Sequence, residues 1–448
     1  MPLSRLRLPL VALLVAGACA SVSPDELASQ FPASTTTSVP PTTTPDEVPD
    51  EDADEAVTPT TAAPTTTTVA PATLSASLGG SLVIGGLTDL TVTEPDGTLT
   101  RSFPTAGAVI TQPTWSRDGD DLIATAMGEP VSTIAVRDGA VTIRPARRPY
   151  FFFSWSSDGQ YVAALGPGPL GTTLDILAAD GVPVSDDSLD TASFYLAWEP
   201  GGGDDLVIHR DRTLELVRDP TDLTTVEPLG EPGQSFLAPA WIPGTREILI
   251  VDEQGSGGRL VRLDVDTLVS VDLGPVDGSI GISVSPDGTQ AVLAHSVGPG
   301  GGGDVAVGFG RTGLVQDEVT AATELVDLAT GERTPISDEL SIWTEWSPDG
   351  TRLALMQPAA DLDGAMWVIW DGTTLTELEP FRPTVTFFRN YVFFSWQYTE
   401  SPRIWSPDGD AIVYAASDGG ADGIWVREID GSGPVRVNAG ADGFWSSG

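Results

Sequence analysis

"EWSPDGTRLALMQ", residues 345–357, holds a complete structural unit. An aromatic residue ends one stretch, Ser-Pro-Asp-Gly follows, and an apolar run resumes. Proline pre-sets the backbone at the second turn position, aspartate tolerates the next, and glycine takes the left-handed conformation that closes a hairpin. The unit recurs as "TWSRDGDDLIATA" at Trp115, "SWSSDGQYVAALG" at Trp155, "AWEPGGGDDLVIHR" at Trp198, "AWIPGTREILIVD" at Trp241, "SVSPDGTQAVLAH" at Val284 and "IWSPDGDAIVYAA" at Trp405. The steps between copies are 40, 43, 43, 43, 62 and 59 residues. Four of them match one four-stranded sheet per repeat, and the last two leave room for insertions.

Composition agrees with an all-β chain. The sequence has 49 Gly and 37 Pro, and its apolar residues come in short Val-, Thr- and aromatic-rich runs without helical spacing. A single hairpin cannot bury both its faces, whereas sheets stacked around a ring bury them and leave no long exposed edge. The Trp-Ser-Pro-Asp-Gly copies resemble the TolB-type, WD-like repeat, and the resemblance implies a β-propeller of four-stranded blades over residues 76–448.

A second landmark sets the count. Turns that would join the third and fourth strands of a blade occur eight times, from "EPDGT" at Glu94 to "EIDGSG" at Glu428, against seven full repeat motifs. Trp445 lies 40 residues after Trp405. The C-terminal strand is therefore expected to complete an N-terminal blade whose other strands are "SLVIGG", "LTVTEPDG" and "TLTRSF", giving eight blades. Seven is the alternative, with residues 76–105 only decorating the ring.

Residues 1–18 have a basic start (Arg5, Arg7), an apolar run and small residues, the pattern of a secretory signal too short to span a membrane. Val15 to Cys19 resembles a bacterial lipobox, although Ala16 stands where a larger aliphatic residue is usual. The resemblance implies export, lipid attachment at Cys19 and anchoring to the outer face of the cytoplasmic membrane or envelope; an ordinary signal peptide is the alternative. Cys19 is the single cysteine, so no intramolecular disulfide can form. Residues 19–75 are Thr, Pro, Ser, Ala and acid, with too little apolar surface to offset ordering entropy. They read as a tether about 40 Å in root-mean-square span.

The chain carries 63 acidic and 22 basic residues, a net charge of −41. Such a field repels nucleic acid and anionic lipid. No G-x-S-x-G, H-E-x-x-H, P-loop or CxxC motif is present. The two histidines, His209 and His295, each end a strand that follows a turn motif; they read either as a shared position lining the channel or as unrelated strand ends. No metal site, cofactor or catalytic set is expected.

The insertions are the better lead. Residues 296–320 fall between the second and third strands of their blade and residues 381–404 follow a fourth strand, connections that emerge on one face of a propeller and commonly carry binding. "RRPYFFFSW", residues 147–155, and "FRNYVFFSW", residues 388–396, read as the same innermost strand in two blades, with either Trp396 or Trp405 ending the second. Candidate binding residues are Arg147, Arg148, Tyr150, His209, Arg389, Tyr391, Trp396, Gln397, Tyr398 and Arg403. Aromatics in strands are more usually core, and the favoured reading of the arginines is pairing with local acids.

The sequence thus points to a lipid-anchored, non-catalytic propeller that binds an envelope protein, peptide or glycan, the role that the TolB-type resemblance implies at class level. The alternative is a propeller hydrolase or lyase using channel carboxylates. Converging carboxylates with raised pKa would favour the second.

Overall fold

A computed structural model describes residues 74–446 except 87–89, 104, 106–107, 192–193, 231–237, 253–257, 277–278, 298–319, 360–363, 393–394, 396–402 and 432. It is nearly all β: eight antiparallel sheets follow one another as the blades of a propeller. Blade 1 takes its inner strand from the C-terminus. Asp442–Trp445 pairs with Leu82–Gly85, with Leu82 opposite Trp445 and Gly85 opposite Asp442. Leu90–Thr93 and Leu99–Phe103 complete that sheet. The expected closure and the count of eight both hold.

Blades 2 to 7 are each four consecutive strands, with inner strands Val109–Trp115, Phe152–Trp155, Phe194–Trp198, Ala240–Trp241, Ser279–Val284 and Trp343–Trp346. In blade 6, Gln290–Val297 pairs with Thr320–Asp327, which places one insertion between the second and third strands as expected.

The repeat motif works as a polar staple. In five copies the serine hydroxyl donates to the aspartate two residues on, at 2.5–2.6 Å (Ser116, Ser156, Ser285, Ser347 and Ser406). The glycine that follows has φ of 70–79° in six copies, the left-handed conformation that other residues adopt only with strain. The tryptophan ties blades together. Its indole N–H donates to a carbonyl one residue before the equivalent position in the preceding blade: Trp155 to Thr114, Trp198 to Ser154, Trp241 to Ala197, Trp346 to Ser283 and Trp405 to Glu345, all at 2.9–3.1 Å. Val284 has no side-chain N–H to offer, and the indoles of Trp115 and Trp445, on either side of the closure, have no hydrogen-bond partner among the described residues.

Arginine adds ionic ties between blades. Arg246 holds Glu199 and Asp205 of blade 4 as well as Asp266 of its own blade, and Arg352 reaches the Gly409 carbonyl and Asp410.

Blade 8 departs from the pattern. Ala411–Asp418, Ala421–Glu428 and Val435–Asn438 form three regular strands, but the inner strand comes in two pieces. Pro383 bridges Ala416 at one end, Trp405 bridges Ile412 at the other, and the chain leaves the sheet between them.

Candidate binding site at the divided blade

The detour begins with a helix. Thr384 caps Val385–Asn390, its hydroxyl accepting the Phe387 N–H at 3.1 Å and donating to the Ala441 carbonyl of blade 1 at 2.5 Å. The expectation that residues 388–396 repeat the inner strand of blade 3 is therefore corrected. Residues 385–390 are helical, and Trp405 pairs with Ile412 at the end of the inner strand; Trp396, the other candidate for that end, lies outside the described residues. "TVTFFRNYVFF" reads as a strand because its residues suit a pleated, half-buried surface. The available edge of Ala411–Asp418 is already engaged, Thr384 donating to the Ala415 carbonyl and Ser417 to that of Arg382, so the backbone satisfies itself as a helix instead.

The same aromatics fill the place that the strand vacates. Phe387 stacks on Trp343 of blade 7 at 5.8 Å and lies 6.2 Å from Phe444 of blade 1; Tyr391 lies 4.6 Å from Phe444. Phe387 and Tyr391 are fully buried. The inserted segment thus wedges between the inner strands of its two neighbours. Arg403 extends the tie: its carbonyl accepts the Trp445 N–H at 3.0 Å, and its guanidinium donates to the Arg117 carbonyl of blade 2 at 3.2 Å.

Two carboxylates flank the wedge. Glu345 accepts the Ile404 N–H at 3.0 Å and the Trp343 indole N–H at 3.2 Å. Glu345 is half-buried. Burial pushes its carboxyl up to about 8, against the pull of the Ile404 N–H and the Arg403 charge. Asp442 is 2 % exposed and accepts the Tyr391 hydroxyl at 3.4 Å. Burial pushes it up to about 7. Each acid engages its own partners on a different blade, and no group of three or more potential metal-ligating side chains exists among the described residues.

The approach to the helix forms a pocket of about 320 Å³ between blades 7 and 8. Phe381, Tyr414 and Trp425 supply aromatic walls, with Glu379, Arg382 and Asp418 as charged groups. Phe381 packs against Tyr414 at 4.4 Å and against Trp367 at 6.4 Å. Glu379 pairs with Arg427 at 2.8 and 3.3 Å. Burial is the largest influence and would raise the Glu379 carboxyl, but the Arg427 hydrogen bond, a backbone N–H and the Arg427 charge together outweigh it and hold the group below the usual carboxylate range. Tyr414 is 3 % exposed; burial, then the Glu379 charge, raises its hydroxyl, which makes no hydrogen bond among the described residues.

The remaining candidates are dispersed. Arg147, Arg148 and Tyr150 converge on Asp175, a buried acid of their own blade, with Arg148 Nε at 2.7 Å and the Tyr150 hydroxyl at 2.8 Å. Burial and the Asp175 charge raise the Tyr150 hydroxyl. His209 is buried beside Tyr195, ring centroids 6.3 Å apart. The two histidines do not share a position. His209 lies three residues beyond Leu206, the partner of Trp198, whereas His295 lies four beyond Ala291, the partner of Val284. Arg389 is exposed on the helix. Cys19, Trp396, Gln397 and Tyr398 lie outside the described residues.

Sequence reasoning missed Glu345, Asp442, Tyr414 and Trp425. One signal was available: Glu345 is the one charged residue directly before a motif position, where the other copies have Thr114, Ser154, Ala197, Ala240, Ser283 and Ile404.

No protein-family model matches the sequence, and no curated protein matches it. Among solved structures the chain is similar to the dihydro-heme d1 dehydrogenase NirN, at 15% identity over 82% of this chain and 75% of that one, with a TM-score of 0.54. It is similar to a eukaryotic initiation factor at 12% identity over 82% and 98%, with a TM-score of 0.51. TolB from Acinetobacter baumannii matches at 16% identity over 76% and 84%, with a TM-score of 0.39. Likeness at these identities is one of fold, and the propellers concerned include both enzymes and TolB-type proteins.

Proposed function

We propose that this chain is an exported, lipid-anchored β-propeller that binds a partner of the cell envelope (a protein, peptide or glycan) without catalysis, using the face where blades 7 and 8 meet. The observation that carries this reading is the pocket beside the divided inner strand. A concave site with aromatic walls and a few polar groups is what recognition of a small group requires. The wedge of Phe387 and Tyr391 supports the reading by making the pocket's approach a rigid part of the ring. The test is recovery of a partner from envelope extract by the full chain, compared with Trp425→Leu and Tyr414→Phe. Loss of the partner with correctly folded variants is expected; unchanged recovery by both refutes the reading.

A second reading, a hydrolase or lyase, draws on Glu345. A carboxyl held near 8 is protonated at neutral pH, as a general acid must be. It stands second because Glu345 and Asp442 are both engaged in holding the inserted segment.

A further inference from the structure

We infer that the pocket between blades 7 and 8 takes an uncharged saccharide residue, an inference that rests on the binding role proposed above and names its ligand class. Three properties of the pocket lead there. Half-buried Phe381 and Trp425 line it beside the nearly buried Tyr414, and aromatic rings offer flat faces suited to an equally flat apolar surface. One polar atom of its lining is unpaired: the Tyr414 hydroxyl, on a residue 3 % exposed, is left to solvent and makes no hydrogen bond among the described residues. Its charges come in both signs, and the strongest are cancelled, since Glu379 is held by Arg427.

Each property excludes a class of ligand. An anion would meet Glu379 and Asp418 inside a domain whose residues 76–448 sum to −34. A cation would have to compete with Arg427 for Glu379 and would face Arg382. A proline or aliphatic side chain would cover the aromatic walls but leave the Tyr414 hydroxyl desolvated and unpaired. A pyranose ring satisfies all three conditions. Its C–H faces lie on aromatic rings, its equatorial hydroxyls project sideways to Tyr414 and the carboxylate of Asp418, and it carries no charge. At about 320 Å³ the pocket falls at the small end of ligand sites, the size of one or two such rings.

The test is ligand-observed NMR and calorimetry on the full chain with neutral di- and trisaccharides of glucose, galactose, mannose and N-acetylglucosamine. A uronic-acid trisaccharide, a glucosamine trisaccharide and a proline-rich peptide serve as comparisons. At least one neutral saccharide is expected to bind. Tyr414→Phe, which removes one oxygen from a buried ring, should weaken it about three- to tenfold. Trp425→Leu should abolish binding, and Val269→Ala, exposed on blade 5 and outside the pocket, should leave it unchanged. Binding of none of the neutral sugars, preference for a charged sugar or the peptide, or neutral-sugar binding indifferent to Tyr414→Phe overturns the inference. If envelope partners are lost with the pocket variants while no neutral sugar binds, the ligand class fails and the binding role stands. If the variants change neither, both fail.

Discussion

Replacing Trp445 with alanine tests the closure of the ring directly. The side chain is fully buried at the end of a four-residue strand that alone supplies the inner position of blade 1. Truncating a buried tryptophan costs about 3–5 kcal/mol through lost burial and the cavity left behind. Unlike Trp198 or Trp241, Trp445 donates no indole hydrogen bond, so packing accounts for the whole cost. With an unfolding entropy of about 2.1 cal/mol/K per residue, a propeller this long loses roughly 1.3 °C of Tm per kcal/mol, so the drop should be about 4–7 °C by calorimetry. Removing residues 440–448 goes further. It exposes the buried edge Leu82–Gly85 and also deletes the Ala441 and Trp445 ties to the inserted segment of blade 8. Cooperative unfolding should be lost and should return when a peptide of residues 440–448 is added in trans. A Tm for Trp445→Ala within 1 °C of the parent, matching that of a change at exposed Val269, would show that the C-terminal strand does not hold the ring shut.

The carboxylates predict an unusual pH dependence. Glu345 and Asp442 have folded pKa values raised from 4.5 to about 8 and from 3.8 to about 7, so between these limits the native state holds protons that the unfolded chain releases. Their contribution is fully present below about pH 4 and is lost as pH rises through 7 to 8; Glu345→Gln and Asp442→Asn should each flatten that decline in urea midpoints measured from pH 5 to 9. In blade 3, Arg148→Met removes the closest ionic partner of Asp175, whose side chain is 1% exposed, and should cost about 3 kcal/mol in denaturant titrations. Asp175→Asn in that background should recover part of the loss, because a buried charge left with Arg147 as its one ionic partner is then gone.

The sequence by itself determined the architecture. Trp-Ser-Pro-Asp-Gly spacing, turn glycines and the leftover motif at Trp445 are local signals, each dictated by backbone angles or by one residue's need for a neighbouring sheet. They repeat often enough to count blades and to place the closing strand. The site was not legible in the same way. "YVFFSW" and "FFFSW" share a propensity, yet residues 152–155 form a strand while residues 385–390, which lead into the second copy, are helical, because the edge they would need is occupied by Arg382–Thr384 and Ile404–Trp405. Tyr414, Trp425 and Glu379 look like ordinary strand and connection residues until two blades meet. The raised carboxyls of Glu345 and Asp442 exist only because residues distant in the chain withdraw them from water. Local geometry repeats with the sequence; desolvation and convergence depend on what the ring brings together.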